Sequence, residues 1–171
     1  EEGTQNILDA ISNKCKIIFP STHVVYEGIE KVKNDILEDE DTKPILSYAT
    51  SKAINEKQLK NSGKNYIILR LGSVYGYSTD TARIDIMPNF FSKIASQNGI
   101  LKLFAAGRQV KSLVPLIDVA RCFKYMEERE DISSETFNLT KDKVTVKEVA
   151  KICKKYNPKI TLKETNDEIP N

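Results

Sequence analysis

The chain has 171 residues, 40% of them apolar and 29% charged, with a net charge of +2; this is long enough to bury a sizeable core and ordinary for a folded globular protein. The near-neutral charge, with no basic stripe carrying interleaved aromatics, argues against a nucleic-acid partner, and no apolar run approaches the roughly 20 residues of a membrane-spanning helix. Cys15, Cys122 and Cys153 lie far apart with neither metal nor disulfide spacing, and His23 is the single histidine, so no metal site is expected and a reducing cytoplasm is the expected compartment.

Residues 4–12 carry Ile7, Leu8 and Ile11 at the spacing of one helix face. The apolar run Lys16-Ile17-Ile18-Phe19 before Pro20 predicts a buried strand. Residues 27–44 are charged, include Glu38-Asp39-Glu40-Asp41 and end at Pro44; they read as a solvated loop. A helix is predicted over residues 47–60, closed by Gly63. Tyr66 to Leu71 reads as a second buried strand running into the turn Gly72 to Gly76. Strand, helix and strand in alternation imply a parallel sheet with crossover helices.

The pattern changes after about Thr81. A helix is predicted over residues 84–96 with Pro88 near its start, then half-exposed and short strands over 101–104 and 112–116. Asp118 is read as the cap of a helix to about Glu130. Residues 135–139 are strand-like, Thr145-Val146-Lys147-Glu148 is a capping box opening a helix to Tyr156, and 159–162 form a last strand. Shorter, mixed elements predict a smaller lobe, so the domains are read as residues 1–82 and 83–171. Cys122 and Cys153 fall on helix faces as core thiols.

Tyr48-Ala49-Thr50-Ser51-Lys52 carries the strongest chemical signal. Positions i and i+4 share a helix face. A free phenol, with a pKa of about 10, is a poor base at neutral pH, and a nearby ammonium favours its phenolate. Such a pair can move a proton to or from a sugar or alcohol hydroxyl. Alone, this spacing occurs by chance on many surface helices. Its context is more specific. Ser21 and Thr22 follow a predicted parallel strand, and Leu71-Gly72-Ser73-Val74 follows another; ligands of open α/β sheets bind at that edge.

With these residues in order, the chain resembles the extended short-chain dehydrogenase/reductase superfamily, and within it the nucleotide-sugar epimerase/dehydratase family. Further matches are Gly3 to Leu8, Val25-Tyr26, Pro88-Asn89-Phe90, Gly107 to Ser112 with Ile117 to Ala120, and Phe137-Asn138 with Val146 to Ala150. The resemblance implies an α/β fold: part of a Rossmann-like parallel sheet, then a small C-terminal α/β substrate lobe. It implies Tyr48 as catalytic acid/base and Lys52 as the ligand of the nicotinamide ribose. Thr22 would bond the reacting sugar oxygen. Ser21, Leu71, Gly72, Ser73 and Val74 would join Tyr48 and Lys52 around NAD. Thr22, Ser73, Asn89 and Lys111 would contact a nucleotide sugar. A homodimer packed through the first helix and the Tyr48 helix is implied as well.

The sequence departs from the family in several places. Ser73 stands where many members have Asn, and Lys111 where many have Arg, which alone grips a diphosphate bidentately. His23-Val24 replaces the Asp-Glu pair of sugar 4,6-dehydratases, which disfavours that reaction. The glycines, at 3, 28, 63, 72, 76, 99 and 107, form no dinucleotide fingerprint. Together with a start at Glu1 inside a helical pattern and an end at Pro170-Asn171 just after a strand-like run, this leads to the expectation of a truncated chain. The implied activity is C4 epimerisation of a UDP-hexose by transient oxidation. The alternatives are a net keto-sugar reductase or dehydrogenase, and a non-catalytic fragment.

Overall fold

A computed structural model describes residues 1–30, 33–80 and 82–167. Thr81, Pro170 and Asn171, used above to mark the change of pattern and the end of the chain, lie outside the described residues.

The chain divides into two compact units: residues 1–72 with 118–139, and residues 73–117 with 140–171. This differs from the expected boundary at residue 82. The reason is sheet register: after the excursion through the second unit, the chain returns as β6 (Glu135–Leu139) beside β2 (Asn65–Leu71), with Leu69 opposite Phe137. Local sequence cannot show that return.

In the first unit, β1 (Lys16–Thr22), β2 and β6 form a parallel sheet in the order β1-β2-β6. Three consecutive residues of the central strand, Ile67, Ile68 and Leu69, have no exposed surface, as expected for a strand covered on both faces. Successive side chains point to opposite faces. Ile68 packs with Leu8 of α1 (Glu2–Ala10) and Leu59 of α2 (Ser47–Asn61). Ile67 and Leu69 pack with Met126 of α4 (Leu116–Glu128) and with Cys122. Burying each such side chain stabilises the unit by about 1.5–3 kcal/mol.

The charged stretch after β1 is a loop closed on itself. A 3₁₀ turn, His23–Tyr26, follows β1; the amide of Gly28 then donates to the Lys43 carbonyl at 2.7 Å, and the Lys43 amide to the Val25 carbonyl at 2.8 Å. A Cβ at Gly28 would stand 2.5 Å from that Lys43 oxygen, so glycine permits the close approach.

In the second unit, β3 (Ser73–Tyr75) runs parallel to β5 (Val110–Pro115), which pairs antiparallel with β7 (Asp142–Thr145). β4 (Ile100–Leu103) pairs parallel with β8 (Thr161–Glu164). α3 (Met87–Ser96) and α5 (Val146–Tyr156) enclose a core of Phe91, Leu101, Leu103, Leu113, Ala150 and Ile160. β4 alternates as expected: Leu101 and Leu103 are fully buried while Ile100 and Lys102 face out. Phe104 leaves the strand for a turn in which Ala105, Ala106 and Gly107 all have positive φ (45°, 54°, 68°). Gly107 needs its conformation and its size, because a Cβ would meet Lys147 atoms at 3.0 Å.

Sequence reading missed β3 and β7. β3 is three residues between two glycines and was read as a turn; β7 is Asp-Lys-Val-Thr, an edge strand with no apolar alternation. Asp118 does not cap α4. The helix begins at Leu116, directly after β5, so Asp118 sits in its first turn and pairs with Arg121 at 3.3 Å.

Candidate active site

β1 and β2 lie side by side, with Ser21 opposite Arg70 and Thr22 opposite Leu71. Their C-terminal ends therefore finish together, where open parallel sheets bind ligands. The first turns of α2 lie against the end of β1. Lys52 Nζ donates to the Pro20 carbonyl at 2.7 Å, stands 4.7 Å from the centre of the Phe19 ring and 5.9 Å from that of Tyr48. The predicted pair thus shares one helix face, with the cation anchored to the strand. Burial holds the Lys52 pKa below the ordinary lysine value. Tyr48 keeps 58% of its surface exposed.

Thr22, the last residue of β1, is buried; its Oγ1 accepts from the Val24 amide at 3.4 Å and caps the 3₁₀ turn. Its hydroxyl proton remains a donor. His23 Nδ1 lies 2.9 Å from the Leu71 carbonyl, tying that turn to the end of β2. The amide of the buried Gly72 donates to the Leu139 carbonyl at 2.9 Å.

Ser21 turns inward. Its side chain is buried, and its hydroxyl donates inward to Glu56 Oε1 at 2.5 Å.

The first unit therefore gathers Ser21, Thr22, Tyr48, Lys52, Leu71 and Gly72 at the C-terminal edge of its sheet. The other expected residues belong to the second unit. Ser73 and Val74 open β3, both half-buried. Asn89 is held at both ends of its amide: Oδ1 accepts from the Gly76 amide at 3.1 Å, and Nδ2 donates to the Arg83 carbonyl at 2.9 Å. It borders a cavity of about 820 Å³ within that unit, walled mostly by apolar groups such as Tyr75, Ile84, Leu113 and Val149, with Lys93 also at its wall. Lys111 is not among the cavity's lining residues; it is exposed on β5, opposite Val144.

Sequence reading missed the polar network under the edge of the first sheet. Glu56 and Arg70 form an ion pair with side chains only 4% and 3% exposed. Arg70 Nη2 donates to Glu56 Oε2 at 2.7 Å and Nε to both carboxylate oxygens at 3.1 and 3.2 Å. Arg70 Nη1 donates to the Tyr26 hydroxyl and, at 3.0 Å, to the Glu38 carbonyl. Tyr26 donates in turn to Asn138 Oδ1 at 3.2 Å, and Asn138 Nδ2 to the Ile36 carbonyl at 2.9 Å. Burial opposes the charge on Arg70, but the bonds to Glu56 outweigh it and raise its pKa. Two signals were available: Arg70 is a charge inside an otherwise apolar strand, and Glu56 continues the four-residue spacing of Tyr48 and Lys52. A buried charge requires a partner.

Among the described residues no cluster of three His, Cys, Asp or Glu side chains could hold a metal, and no helix is long and apolar enough to cross a membrane.

This arrangement has relatives among solved structures. The chain aligns with UDP-N-acetylglucosamine 4-epimerase from Methanobrevibacter ruminantium in complex with UDP-N-acetylmuramic acid, at 22% identity and TM-score 0.82, covering 99% of this chain and 56% of that one. It aligns with UDP-glucuronic acid 4-epimerase from Bacillus cereus in complex with UDP-glucuronic acid and NAD, at 24% identity and TM-score 0.80, covering 98% and 54%. An NAD-dependent NDP-hexosamine 5,6-dehydratase of tunicamycin biosynthesis aligns at 20% identity and TM-score 0.73, covering 90% and 50%. The chain thus spans about half the length of these proteins, and the likeness is one of fold. No curated protein matched the sequence. Residues 1–140, most of the chain, match one family over the same strand ends and helix that carry the site, and the chain belongs to that family, the NAD-dependent epimerase/dehydratase family.

Proposed function

We propose that the protein carrying this chain epimerises a nucleotide sugar, at C4 of a UDP-hexose, by transient oxidation with NAD. One observation carries the reading: Lys52 is anchored to the end of β1 with Tyr48 one helical turn away, over the edge where parallel sheets take their ligands.

The residues present fit one half of the cofactor. Lys52, the end of β1 and the Leu71-Gly72 turn offer a cation and backbone groups to a nicotinamide ribose, with Ser73 and Val74 following directly in the chain. No glycine fingerprint for a pyrophosphate occurs in the sequence. When bound, NAD supplies the reversible hydride acceptor. Tyr48 as phenolate takes the proton of the reacting sugar hydroxyl and later returns it. Thr22 donates a hydrogen bond to the same oxygen and fixes its position. Lys52 holds the ribose hydroxyls and keeps positive charge beside the phenol as the proton moves. In the second unit, Asn89 and the cavity it borders, with Lys111 on β5, are assigned to the nucleotide portion of the substrate.

Tyr48→Phe in the full-length protein removes only the proton-carrying oxygen. Turnover of UDP-glucose should fall by about 10²–10⁴-fold, while calorimetric binding of the nucleotide sugar stays near wild type. Retained turnover overturns the role of Tyr48. Stoichiometric consumption of NAD(H) would favour the keto-sugar reductase or dehydrogenase reading, since an epimerase consumes none. The protein is further assigned to a reducing cytoplasm, in line with three free thiols, and to a homodimer.

A further inference from the structure

We infer that Glu56 is a positioning residue, which sets the Tyr48–Lys52 face of α2 against the end of β1 through its buried pairing with Arg70 and Ser21. The inference rests on the reading of that face as a proton-transfer site, and it gives a role to Glu56 and Arg70, which that reading leaves without one.

Glu56 lies one helical turn after Lys52 and two after Tyr48, so all three are rigidly linked by the helix. Its carboxylate is shared between two strands. Oε1 accepts from Ser21 on β1, one residue before Thr22, and both oxygens accept from Arg70 on β2. Ser21 and Arg70 are directly opposite each other in the strand register. The carboxylate therefore fixes the height of α2 against two neighbouring strand ends at once. One turn further up, Lys52 reaches the Pro20 carbonyl, the residue before Ser21. Two successive turns of α2 are thus pinned to two successive residues of β1.

Hydrophobic packing alone would not specify this register. Between the pinned positions α2 buries one small apolar side chain, Ala53, with Ala49 before them and Leu59 after them, and smooth contacts of small side chains permit sliding along the helix axis. A fork of directed, charge-assisted bonds does not. The same Arg70 extends the clamp outward. Its Nη1 restrains the loop before α2 as well, because it donates to the Glu38 carbonyl at 3.0 Å and to the Tyr26 hydroxyl. The helix that carries the site and the loop that leads into it share one buried anchor.

The test uses the full-length protein with Glu56→Gln, which keeps length and shape but removes the charge, and the double variant Glu56→Leu with Arg70→Met. The double variant replaces a buried ion pair by apolar groups of similar volume, a change that commonly preserves folding. Three quantities are read: thermal midpoint, kcat and KM for UDP-glucose, and the titration of Lys52 followed by NMR after isotopic labelling of its ammonium. In the folded variants kcat should fall about 10–100-fold, the size expected for misplacement of about 1 Å, with KM within about threefold. The Lys52 titration should move up toward the ordinary lysine value as its ammonium leaves its half-buried place for solvent. A folded variant with unchanged kcat and unchanged Lys52 titration overturns the assignment. Failure of both variants to fold overturns it too, since the pair would then serve the fold alone. If the wild-type protein turns over no nucleotide sugar, the proposed function fails, while the Lys52 titration still decides whether Glu56 sets the register.

Discussion

Lys52 keeps a positive charge in a half-buried place, and this sets how it responds to pH. Burial favours its neutral form, outweighing the contact with the Phe19 ring, so its folded pKa lies below that of an unfolded lysine. Between those two values the unfolded chain binds more protons, and stability rises with pH through that alkaline window. Below both values the burial cost is constant. Lys52→Met removes this term. The stability advantage of wild type over the variant should therefore grow between neutral pH and about pH 10, near the reference lysine value, as read by urea unfolding at several pH values. A difference that stays flat would show that Lys52 does not titrate early. The variant should also bind NAD more weakly, because the ribose loses its cation.

At the scale of elements, α5 shows how directly sequence can dictate structure. The Thr145 hydroxyl accepts from the Glu148 amide at 3.2 Å, and Glu148 Oε2 accepts from the Thr145 amide at 2.6 Å, completing the capping box. Thr145→Ala should cost about 1 kcal/mol and lower the thermal midpoint by about 2–4 °C. Those bonds, from the backbone of Thr145 first and its hydroxyl second, hold the Glu148 carboxyl below its usual value. Its contribution is present above the ordinary carboxylate range and is lost as pH falls through the lowered value. The Thr145→Ala effect should accordingly shrink in acid. α2 is the opposite case. Its buried positions include Asn55 and Glu56 beside Ala49, Ala53 and Leu59, so no clean apolar stripe marks its inner face; its place depends on partners that only the fold supplies.

At the scale of the whole molecule, the proposed homodimer would cover α1, where Ile7 keeps 59% of its surface exposed. Light scattering of the full-length protein should give twice the monomer mass, and Ile7→Glu should lower it toward the monomer; a monomeric wild type would remove the proposal. Local pattern was enough to read the strands β1 and β2, the helices between and after them, the capping box, and the candidate pair on α2. These are legible because apolar runs, helical spacing and cap residues act over a few neighbouring residues. It took the folded chain to reveal that β6 returns to the first sheet, that β7 joins β5, that Ser21 turns inward, and that Glu56 meets Arg70. Such contacts join residues far apart in the chain: Tyr26 and Asn138 are 112 positions apart, and what brings them together is the register of a sheet and the need of a buried charge for a partner, neither of which leaves a local pattern.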